Sequence, residues 1–219
     1  MTKVIRKTLF SQGTFLLEIQ RPSGFSFRCG QHVTLGLANW GINREYSIYS
    51  GENESQLTFL IKVIDNGILS KGLFELKSGD PLELTGPFGE FSIDAALPSP
   101  VTFFATGTGI APFHSFIQSR PELDYHLVWG VRHLAEAVGH EEYGGRVTLC
   151  LSGEPLPQVA GEAGCAFFSG RITQWLEEHS LQKNSSSFLC GNRNMINEVY
   201  NLLRSKQLSS DQIKTEVFF

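Results

Sequence analysis

The chain has 219 residues, of which 41% are hydrophobic and 18% charged, a balance that excludes the low hydrophobicity and high net charge of a disordered protein. A formal charge of −4 with no run of Lys or Arg excludes the basic footprint of a nucleic-acid binder. Cys29, Cys150, Cys165 and Cys190 lie far apart, which excludes an iron–sulfur site built from closely spaced thiolates and argues against structural zinc.

This length allows one large or two small domains. Residues 1–20 interrupt their apolar positions with charged and polar ones. Neither a signal peptide nor a membrane span is therefore expected, and a cytoplasmic location follows. Residues 14–19, 32–37, 45–49, 56–63 and 81–84 alternate or run apolar over strand length between Gly, Asn and Asp breaks. They predict a small antiparallel barrel, with one helix over 70–76. Ala96-Leu97-Pro98-Ser99-Pro100 breaks any regular element and marks a domain boundary, giving domains of 1–97 and 98–219.

Past the boundary, strands and helices alternate. Residues 101–105, 127–130, 147–151 and 188–190 read as buried strands, a helix covers about 112–118, and Ile196, Val199, Tyr200 and Leu203 fall at helical spacing. That order predicts a doubly wound parallel sheet, which takes its ligands at the carboxyl ends of its strands.

Four stretches carry candidate chemistry. Thr106-Gly107-Thr108-Gly109-Ile110-Ala111-Pro112 follows a strand and opens a helix, so its glycines let backbone approach a phosphate held by the helix N-terminus. Taken alone it reads equally as a plain βα turn. In Arg44-Glu45-Tyr46-Ser47, Arg44 and Tyr46 share a strand face, a planar cation for phosphate beside a ring for a flat heteroaromatic. The same residues, alone, fit a surface ion pair beside a core tyrosine. Asp65-Asn66-Gly67-Ile68-Leu69-Ser70 is a turn whose serine can cap a short helix, either as a second phosphate site or as an ordinary cap. Gly86-Pro87-Phe88-Gly89 reads as a tight turn.

The order of these motifs, with Phe27-x-x-Gly30-Gln31, Trp129-Gly130-Val131-Arg132 and Cys190-Gly191-Asn192, resembles the ferredoxin–NADP reductase superfamily over essentially the whole chain. The resemblance implies an N-terminal antiparallel FAD-binding β-barrel followed by a parallel-sheet NAD(P)-binding domain. It also implies hydride transfer between NAD(P)H and flavin N5, with electrons passing to a separate acceptor such as ferredoxin or flavodoxin. Alternatives are an NAD(P)H:free-flavin reductase and an FAD-binding electron-transfer subunit of a larger complex.

Carried over to this sequence, Arg44 would neutralise the FAD pyrophosphate, Tyr46 would stack on the isoalloxazine and Ser47 would hydrogen-bond near N5. Ile61, Lys62 and Val63 would line the cofactor, and Gly67, Leu69 and Ser70 would hold its phosphates. Gly107, Thr108 and Gly109 would bind the nicotinamide dinucleotide, with Cys190 and Gly191 beside the nicotinamide. Glu216 would lie near the hydride path, and Phe218 or Phe219 would cover the flavin. Ser152-Gly153-Glu154 stands where NADP-dependent relatives often have Ser-Arg. Arg132 and Arg171 remain as phosphate partners, so the choice leans slightly to NADP with NAD open.

Overall fold

The computed structural model describes residues 1–11, 13–93, 100–157 and 164–218. Residues 96–99 of the expected boundary, Phe219 and the side chain of Phe218 lie outside the described residues. Contacts divide the chain into two units, Met1–Ile93 with Ala111–Pro121, and Asp94–Ile110 with Glu122–Phe219.

The first unit contains β1 (Thr2–Ser11), β2 (Thr14–Gln20), β3 (His32–Leu37), β4 (Asn43–Ser47), β5 (Gln56–Lys62) and β6 (Pro81–Phe88), with α1 (Ile68–Glu75) and α2 (Ala111–Ser119). Its six strands form an antiparallel sheet in the order β4-β3-β6-β1-β2-β5. Period-two patterning explains the core. Phe15, Leu17 and Ile19 of β2 stand opposite Ile61, Phe59 and Leu57 of β5, and all six are within 1% of full burial. One residue of slip would turn that whole set to solvent. Leu69 and Leu73 of α1, one helical turn apart, add to the same core. Just beyond β4, the Tyr49 N–H donates to Thr58 O of β5 at 2.9 Å. The first and last strands of the order thus meet, which is the closure expected of a small barrel.

Two expectations need correction here. The helix begins at Ile68 rather than Ser70, because Gly67 is the extended residue that opens it. Ser70 therefore lies inside the first turn and is not the cap. Gly86 and Pro87 also belong to β6 rather than to a turn. The β3–β6 ladder continues to the His32–Phe88 pair through a register shift between His32 and Thr34, so the glycine serves an irregularity within a strand.

The second unit is a parallel sheet in the order β10-β9-β8-β7-β11-β12. Its strands are β7 (Val101–Thr106), β8 (Tyr125–Val131), β9 (Val147–Leu151), β10 (Ala166–Ser169), β11 (Ser186–Asn192) and β12 (Ile213–Phe218), with α3 (Ile172–Glu178) and α4 (Arg193–Ser205). The buried stripe of α4 is Met195, Ile196, Val199 and Leu203, the 3.6-residue period of a helix covering a sheet. It packs with Trp175 and Leu176 of α3 against Phe104, Val128, Cys150 and Leu189 from four strands. The chain moves from β7 outward to β10 and then returns to the other side of β7 as β11. The topological switch point lies between the carboxyl ends of β7 and β11, where such sheets bind ligands.

Candidate functional site

In the first unit, the expected residues gather where β4 and β5 meet. Arg44 is exposed and its Nη1 donates to the Asn43 carbonyl at 2.7 Å. Tyr46, two residues on and half-buried, has its hydroxyl pushed up to about 12, chiefly by burial and against the pull of the Arg44 charge. The two residues lie two apart on β4 and so share one face of the strand. Ser47 ends the strand buried, paired with His32 of β3. The chain beyond it joins β5, so the segment from Arg44 to Ser47 and the end of β5 occupy neighbouring strands.

Ile61 is buried, Lys62 is exposed and Val63 is half-buried, with the Val63 N–H donating to the Gly13 carbonyl at 2.6 Å. The turn into α1 is closed by the Gly67 N–H on the Ile64 carbonyl at 2.8 Å. It is closed again by the Ile64 N–H on Ser70 Oγ at 3.1 Å. Ser70 thus shapes the turn from within the helix, and Leu69 is packed into the core beside it.

In the second unit the loop after β7 and the end of β11 are built around each other. A Cβ at Gly109 would lie 2.4 Å from the Cys190 carbonyl oxygen, and one at Gly191, whose φ is +129, would lie 2.3 Å from Thr106 Oγ1. No larger residue fits at either position without moving backbone. Thr106 Oγ1 also accepts the Asn192 N–H at 2.9 Å, and buried Trp129 donates from Nε1 to the Gly107 carbonyl at 3.0 Å. These contacts fix Gly107 and Thr108, both half-buried, at the switch point. Sequence reasoning missed Thr106 and Trp129 as positioning residues. Both stand inside the quoted motifs, but only the pairing of parallel strands shows what they hold.

Cys190 is fully buried on β11, in register with Glu216 of β12 and Ala105 of β7. Burial first, and the Glu216 carboxylate second, push its thiol well above the ordinary range. It is a neutral thiol and not a nucleophile. The two arginines separate. Arg132 is exposed at the exit of β8, next to β7, whereas Arg171 follows the edge strand β10 and opens α3. Strands sit about 4.8 Å apart, which sets Arg171 about 14 Å from the β7 loop along the sheet edge. The structure does not bring Arg171 to the glycine loop.

The donors suit nucleotides. An exposed guanidinium beside a neutral ring matches phosphate plus heteroaromatic. The glycine contacts at the switch point leave bare backbone for close approach by a pyrophosphate. Among the described residues no cluster of three metal-ligating side chains occurs, and no helix is long and apolar enough to cross a membrane.

Known proteins resemble this chain in sequence and fold. Residues 1–93 match the family of oxidoreductase FAD-binding domains. The toluate 1,2-dioxygenase electron transfer component of Pseudomonas putida is 28% identical over 95% of this chain and 64% of its own length. The flavodoxin/ferredoxin–NADP reductase of Rhodobacter capsulatus is 33% identical over 65% of this chain and 54% of its own. The chain thus spans less than two thirds of these curated relatives. A ferredoxin NADP+ reductase from Neisseria gonorrhoeae, solved with FAD and NADP bound, superposes with a TM-score of 0.86 at 21% identity, covering 100% of this chain and 98% of that one. That likeness shows a shared fold.

Proposed function

We propose, for a chain that belongs to the ferredoxin–NADP reductase-like superfamily of FAD- and NAD(P)-binding reductases, that it is an NAD(P)H-dependent flavoprotein reductase passing electrons to ferredoxin, flavodoxin or another redox protein. Residues 1–97 would form the FAD-binding domain and 98–219 the nucleotide-binding domain. One NAD(P)H would reduce two one-electron acceptors, yielding NAD(P)+ and a proton. FAD, when bound, supplies the conversion of a two-electron donor into single-electron steps.

What supports this reading is the presence of two clusters whose residues suit a nucleotide. One is the Arg44, Tyr46 and Ser47 edge of the barrel, and the other is the glycine cradle of Gly109 and Gly191. Arg44 offsets pyrophosphate charge, Tyr46 offers its neutral ring, and Ser47 supplies a hydroxyl where the flavin is reduced. Ile61, Lys62, Val63, Gly67, Leu69 and Ser70 shape the phosphate side. Gly107, Thr108, Gly109 and Gly191 hold the dinucleotide, with Arg132 and Arg171 as its candidate phosphate partners. Cys190 provides a protonated thiol beside the nicotinamide and Glu216 a carboxylate behind it. Phe218 and Phe219 are assigned to control of nicotinamide access. The four cysteines, all buried thiols outside any disulfide, suit the reducing cytoplasm.

The relative from Pseudomonas putida is named as an electron transfer component, which favours an oxygenase-type protein as a second choice of acceptor. The test is a visible spectrum of the purified protein, followed by anaerobic addition of NADH or NADPH. Flavin bands that survive gel filtration and bleach with nucleotide are expected. A colourless protein that takes up no added FAD would overturn the reading.

A further inference from the structure

We propose that Glu154 makes the dinucleotide site of the second unit selective for NADH over NADPH. The inference rests on reading the carboxyl edge of that sheet as a dinucleotide site, and it reverses the lean to NADP drawn from Arg132 and Arg171. A dinucleotide whose pyrophosphate sits on the loop after β7 lays its adenosine half across the neighbouring strand ends. At about 4.8 Å per strand, the exit of β9 lies about 10 Å along that edge, within reach of the adenosine ribose.

Glu154 stands at this exit, three residues beyond Leu151, the last residue of β9. Its carboxylate is held in place. Oε1 accepts the Leu134 N–H at 2.5 Å, and Oε2 lies 3.2 Å from His133 Nδ1. The backbones leaving β8 and β9 are zipped by the Ser152 N–H on the Val131 carbonyl at 3.1 Å and the Gly153 N–H on the Arg132 carbonyl at 2.9 Å. Glu154 is therefore a fixed, half-exposed negative charge, with side-chain exposure of 34%. It is not a loose surface carboxylate that can swing away.

A carboxylate oxygen has more lone pairs than these partners use, so a ribose 2′-hydroxyl can donate to it. A 2′-phosphate has no such donor to offer at neutral pH and brings like charge. Arg132 pulls the other way from the exit of β8, the neighbouring exit whose backbone the Gly153 N–H ties to that of Glu154. Arg171, at the far edge, is three strands from the pyrophosphate loop. Discrimination by repulsion of the wrong ligand is the simplest way to separate two nucleotides that differ only at one oxygen.

The test avoids both flavin and turnover. ADP-ribose and 2′-phospho-ADP-ribose are titrated calorimetrically into the full chain, wild type and Glu154→Gln. Glutamine keeps an oxygen for the Leu134 N–H, so the strand exits stay closed. Wild type is expected to bind ADP-ribose about tenfold or more tightly than its 2′-phosphate, and the variant to narrow the ratio to about threefold or less. Tighter binding of the phosphorylated ligand by wild type, or an unchanged ratio in the variant, overturns the role of Glu154 and leaves the dinucleotide site standing. If neither ligand binds, the dinucleotide reading falls and this proposal falls with it.

Discussion

Tyr46 and Cys190 are ionisable side chains that the fold keeps neutral, and that neutrality decides what each can do. Burial holds the Tyr46 hydroxyl at about 12 in spite of Arg44, so the ring acts as an apolar platform. Tyr46→Phe should keep FAD affinity within about threefold by equilibrium dialysis, whereas Tyr46→Ala should weaken it about tenfold, since stacking contributes on the order of 1 kcal/mol. Equal losses in the two variants would assign the role to the hydroxyl instead. Cys190, wholly buried and paired in register with Glu216, carries no thiolate near pH 8 because burial raises its thiol well above the ordinary range. An alkylating reagent at that pH should leave Cys190 unmodified in the native protein and modify it in urea, as read by peptide mass. Labelling of the native state would show that the site opens.

The end of β11 turns into α4 through Asn192, whose Oδ1 accepts the N–H groups of Asn194 and Met195 at 2.9 and 3.4 Å. The N–H of Asn192 is itself bound to Thr106. This one residue caps a helix and ties the glycine cradle to β7. Asn192→Ala should cost about 1 kcal/mol in urea denaturation, and Asn192→Asp, which keeps the acceptor, should cost less. Asn192 stood at the edge of a motif legible in the sequence, yet its capping role needed the strand end to be known. The elements read correctly were those with strong periodicity, such as β9 with five buried residues and the buried stripe of α4. β1 escaped because Lys3, Arg6 and Lys7 mask its alternation, and its outer half is largely exposed. β10 has only four residues, none of them buried, and β12 interleaves Lys214 and Glu216 with its apolar positions. Such strands are specified by their partners more than by their own pattern. The same holds for Ser70: a serine after Asp-Asn-Gly reads as a cap, but the backbone turns helical at Ile68 and the hydroxyl serves the turn behind it.

Taken over the molecule, the buried ionisable groups set the pH range in which it is stable. His126, half-buried on β8 against Trp175 and with Nε2 3.0 Å from Thr148 Oγ1, has its pKa lowered from 6.5 by burial and then by His179. The unfolded chain therefore takes up a proton that the folded chain refuses, and stability falls as the pH drops below about 6.5. Glu52 follows at lower pH. Burial raises its carboxyl, but the Cys29 N–H and the Arg120 guanidinium outweigh that and hold it below 4.5. The stability it contributes is present above that value and is lost as the pH falls through its folded value. On the alkaline side, the thiols of Cys29 and Cys150 are raised from 9.0 to about 12, chiefly by burial. Their contribution is complete below the unfolded value and declines as the pH climbs toward the folded one. The urea midpoint should accordingly be flat from about pH 6.5 to 9 and fall on both sides. His126→Gln should flatten the first acidic decline and leave the alkaline one, while Cys150→Ala should lower the midpoint throughout through its cavity but shallow the alkaline slope. Because each variant is judged by slope against pH and not by absolute stability, a general loss of packing cannot imitate the result. An acidic limb that keeps its slope in His126→Gln would place the responsible proton elsewhere.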